Sequence, residues 1–159
     1  MRFKNIFNKF YILFVVGGWI TLLAYISQTF AAPPNLVNVA RFDNLVIQLE
    51  TNSITHVGST RRFKLHTNFI TPQQNNFVDN EQNVHTFTEP VVKMVDTIEM
   101  NCIFETFSVV KKQFFSKTLR SLDVYQPENP KLEYVVPENV AGLLFPVLCN
   151  KKPSVKYEV

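Results

Sequence analysis

The sequence predicts an α+β domain: an antiparallel sheet with one helix packed on one of its faces. Three observations predict it. Between residues 45 and 125, several runs alternate apolar and polar side chains with the period of a strand. Residues 137–149 break that pattern and carry apolar residues at helical spacing. Two cysteines, Cys102 and Cys149, end a strand-like run and the helix-like run.

The first element is an export signal over residues 1–31. Arg2, Lys4 and Lys9 form a basic start. Tyr11 to Ile26 then runs for 16 uncharged residues. That is short of the roughly 20 that span a bilayer, and Gly17 and Gly18 weaken it as a span. Ala31 with Thr29 two residues before it suits a signal peptidase, so the cut is placed after Ala31. The alternative is an uncleaved anchor. No cysteine lies near the cut, so no lipoprotein is expected.

Residues 32–159 remain, about 128 residues and enough for one domain with its own core. The signal removes three basic residues and no acid. The remainder therefore has 13 Lys/Arg against 13 Asp/Glu and is neutral. A neutral domain without a basic face argues against a nucleic-acid partner. Arg61, Arg62 and Lys64, and the pair Lys111 and Lys112, read as solvated strand positions. A membrane enters only through the signal or anchor segment.

The strands follow in order. Leu45, Ile47 and Leu49 share one face, against Val46, Gln48 and Glu50. Phe63, Leu65, Thr67 and Phe69 oppose Arg62, Lys64, His66 and Asn68 in the cleanest alternation of the chain. Ile98, Met100 and Cys102 share a face, so Cys102 points with the apolar side chains. Residues 103–115 and 118–125 are strand-rich again. Short strands with local connections predict antiparallel pairing and one covered face.

Pro137-Glu138-Asn139 opens the helix, with Pro near its first turn. Val140, Leu143, Leu144, Val147 and Leu148 form the expected stripe. Pro146 removes one helical hydrogen bond and crowds the carbonyl of Gly142, so a kink or two short pieces are expected. Export places the two thiols where disulfides persist, and two cysteines allow one bridge. That bridge would pin the helix to the sheet. Two buried free thiols are the alternative.

At this point the residues resemble the surface-adhesin protein E-like family, small exported domains of Gram-negative bacteria. The likeness lies in MVDTIEMNC (94–102) and in YVVPENVAGLLFPVLC (134–149). Upstream, ETNSI (50–54) is similar to the family's turn between the first strands, and RRFKL (61–65) to the strand after it. The resemblance covers roughly residues 40 to 149. It implies a sheet of about six strands with a C-terminal helix joined to it by a disulfide. It also implies a periplasmic or outer-surface location, binding to host matrix, serum or envelope proteins, and a homodimer. The chain departs in having no lipobox, no glycine between Phe115 and Leu122, and a longer polar segment at 71–90.

That segment is Asn/Gln-rich and reads as a loop between strands, with Phe77 and Phe87 as candidate anchors for a partner. The rest of the chain carries little chemistry. His56, His66 and His85 have no helical H-x₃-H spacing and no cysteine or paired carboxylate beside them, so no metal is expected. His66 falls on the polar face of its strand and reads as a surface histidine. Ser53 and Ser108 have no base placed by the sequence, so no catalytic residue is assigned. No phosphate loop or cofactor motif occurs. The tail from Asn150 reads as a solvated end or a short final strand. The expected function is a non-enzymatic binding or structural module of the bacterial envelope, adhesin-like in its resemblance. The alternative is a small periplasmic enzyme or an accessory subunit of an envelope complex.

Overall fold

The computed structural model describes residues 33–154, apart from 75, 79–81 and 83 and the side chain of Phe77. The predicted signal and its cut after Ala31 lie outside the described residues. Among the described residues, no helix is long and apolar enough to cross a membrane.

The elements are β1 (Leu36–Arg41), β2 (Leu45–Val57), β3 (Thr60–Gln73), β4 (Asn76–Val78), β5 (Val84–Thr86), β6 (Val91–Asn101), β7 (Thr106–Phe115), β8 (Ser121–Tyr125), β9 (Glu133–Tyr134) and α1 (Val140–Cys149). The main sheet has the order β1-β2-β3-β6-β7-β8, and β9 adds to the start of β7. All its pairings are antiparallel. The α+β architecture, the strand count and the helix joined by a disulfide agree with expectation.

The alternation read from the sequence places one face of the sheet under α1. Leu49, Phe63, Leu65, Ile98 and Met100 meet Ala141, Leu144, Phe145 and Leu148 in one buried cluster. Each large apolar side chain removed from water there contributes roughly 1.5–3 kcal/mol. Phe87, Val91 and Phe114 form a second cluster, with Phe69, Met94, Leu122 and Tyr125 around it. In β7 the register shifts opposite Thr97 and Ile98, where Lys111 and Val109 are the partners. The extra residue, Val110, is a bulge that restores the face. Phe107 and Val109 before it, and Lys112 and Phe114 after it, therefore point the same way.

The helix corrects the expected start and the expected stripe. It is one piece, with Pro146 inside it. Its N-cap is Asn139, whose side chain accepts a hydrogen bond from the Gly142 amide at 2.7 Å. Pro137 therefore lies before the cap. Its buried stripe is also rotated: Phe145 is 0% exposed, whereas Leu143 and Val147 are 53% and 75% exposed. The reason is Gly142. A Cβ there would lie 2.0 Å from the Val136 carbonyl oxygen. The glycine face is the one that approaches the preceding segment, and this turns Leu143 and Val147 outward. The last turn is closed by Asn150 in the left-handed region, φ 54°, and by the Arg61 guanidinium donating to the Leu148 carbonyl at 3.2 Å.

ETNSI does not form the first turn. Residues 50–54 lie within β2, at an irregularity between Glu50 and Thr55. There the Ser53 hydroxyl donates to the Glu50 carbonyl at 2.6 Å and accepts from the Lys64 amide at 2.8 Å. The turn follows at Gly58-Ser59, where Gly58 supplies a φ of 58°.

The described part of segment 71–90 is not all loop. It carries a hairpin of β4 and β5, in which Phe77 is paired with His85. His85 and Phe87 pack on Phe114, with ring centroids at 4.6 and 5.0 Å.

The described part of the tail, residues 150–154, is mostly exposed as expected, and Lys151 and Ser154 are also tied to the domain. Glu105, buried in the turn after Cys102, accepts from the Ser154 amide and hydroxyl, both at 2.6 Å. It also accepts from the Lys151 ammonium at 3.0 Å. The Ser154 hydroxyl, helped by Lys151 and the Ser154 amide, outweighs burial and holds this carboxyl at about 2, against an ordinary 4.5. A carboxylate with a lowered folded pKa adds stability above its unfolded value, and that stability is lost as pH falls from about 4.5 toward 2. Glu105→Gln is expected to flatten this acid limb in urea unfolding series taken across that range. A variant as acid-sensitive as the parent would show that the clamp contributes nothing there.

Candidate functional site

The uncovered face of the sheet is polar and largely satisfied by its own side chains. Asn38, Gln48 and Asn68 lie side by side on β1, β2 and β3. Asn68 donates to Gln48, and Gln48 donates to Asn38, each at 2.9 Å. Arg62 pairs with Glu99 across β3 and β6. His66 is not a surface histidine: it is 4% exposed, between Gln48 and Val95 in register. Its Nε2 lies 2.7 Å from a Glu50 carboxylate oxygen. Burial lowers its pKa, and the nearby Lys93 and Lys64 charges act the same way, against the opposing pull of Glu50. The ring is therefore neutral near pH 7. Among the described residues, no group of three or more histidine, cysteine or acidic side chains is placed to hold a metal.

The sheet edges are blunted. β1 carries a bulge between Asn38 and Ala40, and β8 is only 5 residues long. Exposed apolar side chains occur at several places, Leu143 and Val147 on α1 among them, and one group lies at the end of the sheet where β6 turns into β7. Phe104, in that turn, and Leu132, just before β9, are 71% and 67% exposed. They share the wall of a shallow groove of about 310 Å³, with Thr60, Glu99 and Ser108 at its floor. Ile103 and Tyr134, next to them along the chain, are exposed as well.

A second concavity lies on the covered face, in the gap between the two apolar clusters. It encloses about 520 Å³. Ile47, Met94, Phe107, Val109 and Val140 supply apolar walls. Lys112 and Asp96 lie in it as a pair, 3.6 Å apart, and both side chains are largely shielded from solvent. The sequence held a signal for this pair. Asp96 shares the parity of Ile98 and Met100, and Lys112 that of Phe114. Charges on an apolar parity mark a covered polar site.

The residues singled out from the sequence do not converge. Cys102 and Cys149 form the disulfide, with Cα atoms 5.4 Å apart, between the end of β6 and the end of α1. Phe87 is buried against Phe114, so its ring staples the hairpin to the sheet and is not a surface anchor. Phe77 lies in β4, but its side chain is outside the described residues. Phe104 and Leu132 were missed because exposure of an apolar residue in a turn leaves no mark on periodicity.

Comparison with known proteins agrees with this geometry. The family model described as surface-adhesin protein E matches residues 37–150. No curated protein sequence matches the chain significantly. Among solved structures, the fold is similar to protein E from non-typeable Haemophilus influenzae, at 12% identity and a TM-score of 0.50, over 76% of this chain and 82% of that one. A second structure of Haemophilus influenzae protein E matches at 13% identity and a TM-score of 0.48, over 77% of this chain and 95% of that one. A family match over most of the chain means that it belongs to the surface-adhesin protein E family, as an exported, non-enzymatic, adhesin-like module.

Proposed function

We propose that this module sits at the outer cell surface and captures a host or envelope protein through the Phe104–Leu132 groove. The observation that carries the reading is two large apolar side chains left in water on the walls of one groove. Exposed apolar surface rimmed by polar residues is the usual mark of a protein-binding site. The blunted edges and the polar open face offer less to an incoming chain. Export rests on residues 1–31 as a cleaved signal. Its test is the mass of the protein recovered from the envelope, which should begin at Ala32.

The binding site is tested with the exported protein and its Phe104→Ser/Leu132→Ser variant on immobilised matrix, serum and envelope proteins. The parent is expected to be retained, and the variant to lose at least tenfold in affinity with its melting temperature unchanged. Equal retention of both would move the site off this groove. Sedimentation of the same pair reads self-association: a dimer that becomes a monomer in the variant would make a second copy the groove's occupant.

A further inference from the structure

The cavity beside the start of α1 is independent of that groove, and it has the composition of a small-molecule site. Its volume, about 520 Å³, falls within the roughly 300–1,000 Å³ typical of ligand pockets. Leu65, Thr67 and Ile98 at its floor are buried, while Asn44 and Lys131 at its rim are exposed. A ligand therefore has a dry interior to fill and a wet mouth to enter by.

The charges narrow the ligand class. Lys112 and Asp96 present one positive and one negative group at 3.6 Å. At the rim Lys131 and Glu133 form a second pair, 3.3 Å apart. Among the described residues, the charges of the lining cancel. A bare carboxylate drawn to Lys112 would face Asp96, and an ammonium drawn to Asp96 would face Lys112. Neither repulsion is well screened in a site shielded from water. An uncharged head with both a donor and an acceptor meets the two without opposition: its hydroxyl or amide donates to the carboxylate, and its oxygen accepts from the ammonium. The walls at Ile47, Met94, Phe107 and Val109 take an apolar body.

We propose that this cavity binds an uncharged single-chain amphiphile, with its hydroxyl or amide head on the Lys112–Asp96 pair and its tail along the apolar walls.

The test uses the exported protein and three probes with ten-carbon chains, below their aggregation limits: monodecanoylglycerol, decanoate and decylammonium. Titration calorimetry is expected to show binding of the glyceride and at least tenfold weaker binding of both ions. Val109→Phe, which fills the cavity, should lose at least tenfold for the glyceride, whereas Phe104→Ser should not change it. Asp96→Asn removes the opposing charge and should shift preference toward decanoate, which a merely structural pair would not do. Equal binding of all three probes, no binding of the glyceride, or binding unaffected by Val109→Phe would overturn the assignment. If Asp96→Asn fails to fold, the probe ranking and Val109→Phe still decide.

Discussion

Replacing Cys102 and Cys149 together by serine is expected to lower stability by about 4 kcal/mol. The bridge closes a loop of 47 residues, and cross-linking a loop of that length restricts the unfolded chain far more than the folded one. The folded chain holds the same ends by other means. Phe145 and Leu148 are buried against the sheet, and Arg61 caps the last turn. The variant should therefore keep its fold and show a lower urea midpoint. Parent and variant are compared under oxidising conditions by circular dichroism. A loss under about 1 kcal/mol would mean that the unfolded chain already keeps these ends together without the bond.

Gly142→Ala is expected to destabilise by about 3 kcal/mol, the upper end of what overpacking usually costs. Helix propensity alone argues the opposite sign, since alanine in a helix interior is better than glycine by about 1 kcal/mol. Contact decides. The new methyl carbon would lie 2.0 Å from the Val136 oxygen and 2.7 Å from the Pro137 Cα. Both are backbone atoms, and proline at 137 restricts the segment further. Relief requires lifting α1, which loosens Leu144, Phe145 and Leu148 together. The urea midpoint of the alanine variant measures this directly, and a neutral or stabilised variant would show that residues 136–137 yield easily.

The sheet was legible because its strands are long and one face is covered. Phe63, Leu65 and Thr67 are buried as the alternation predicts, with Arg62, Lys64 and Asn68 more open and His66 the exception. The disulfide was legible from compartment and parity together. The helix was legible as an element but not in rotation: apolar spacing favoured Leu143 and Val147, and a backbone contact at Gly142 overrode it. The hairpin at 76–86 escaped because its strands have only 3 residues each, too short for any period. His66 escaped because the polar face of a wide sheet can bury a side chain under its neighbours. The Lys112–Asp96 site needed the bulge at Val110, which no alternation rule places.

The disulfide also sets how the domain transmits mechanical load. A pull between the two chain ends reaches β6 through β1, β2 and β3. From the Cys102 sulfur it passes straight to Cys149 and out along the tail. The segment between the cysteines, which holds β7, β8, β9 and most of α1, bears no tension. A length of ~160 Å, or 47 residues at about 3.4 Å each, is thereby withheld from extension. A pull on the two chain ends would therefore be resisted first at β1, while β7, β8 and β9, inside the bridged loop, stay slack.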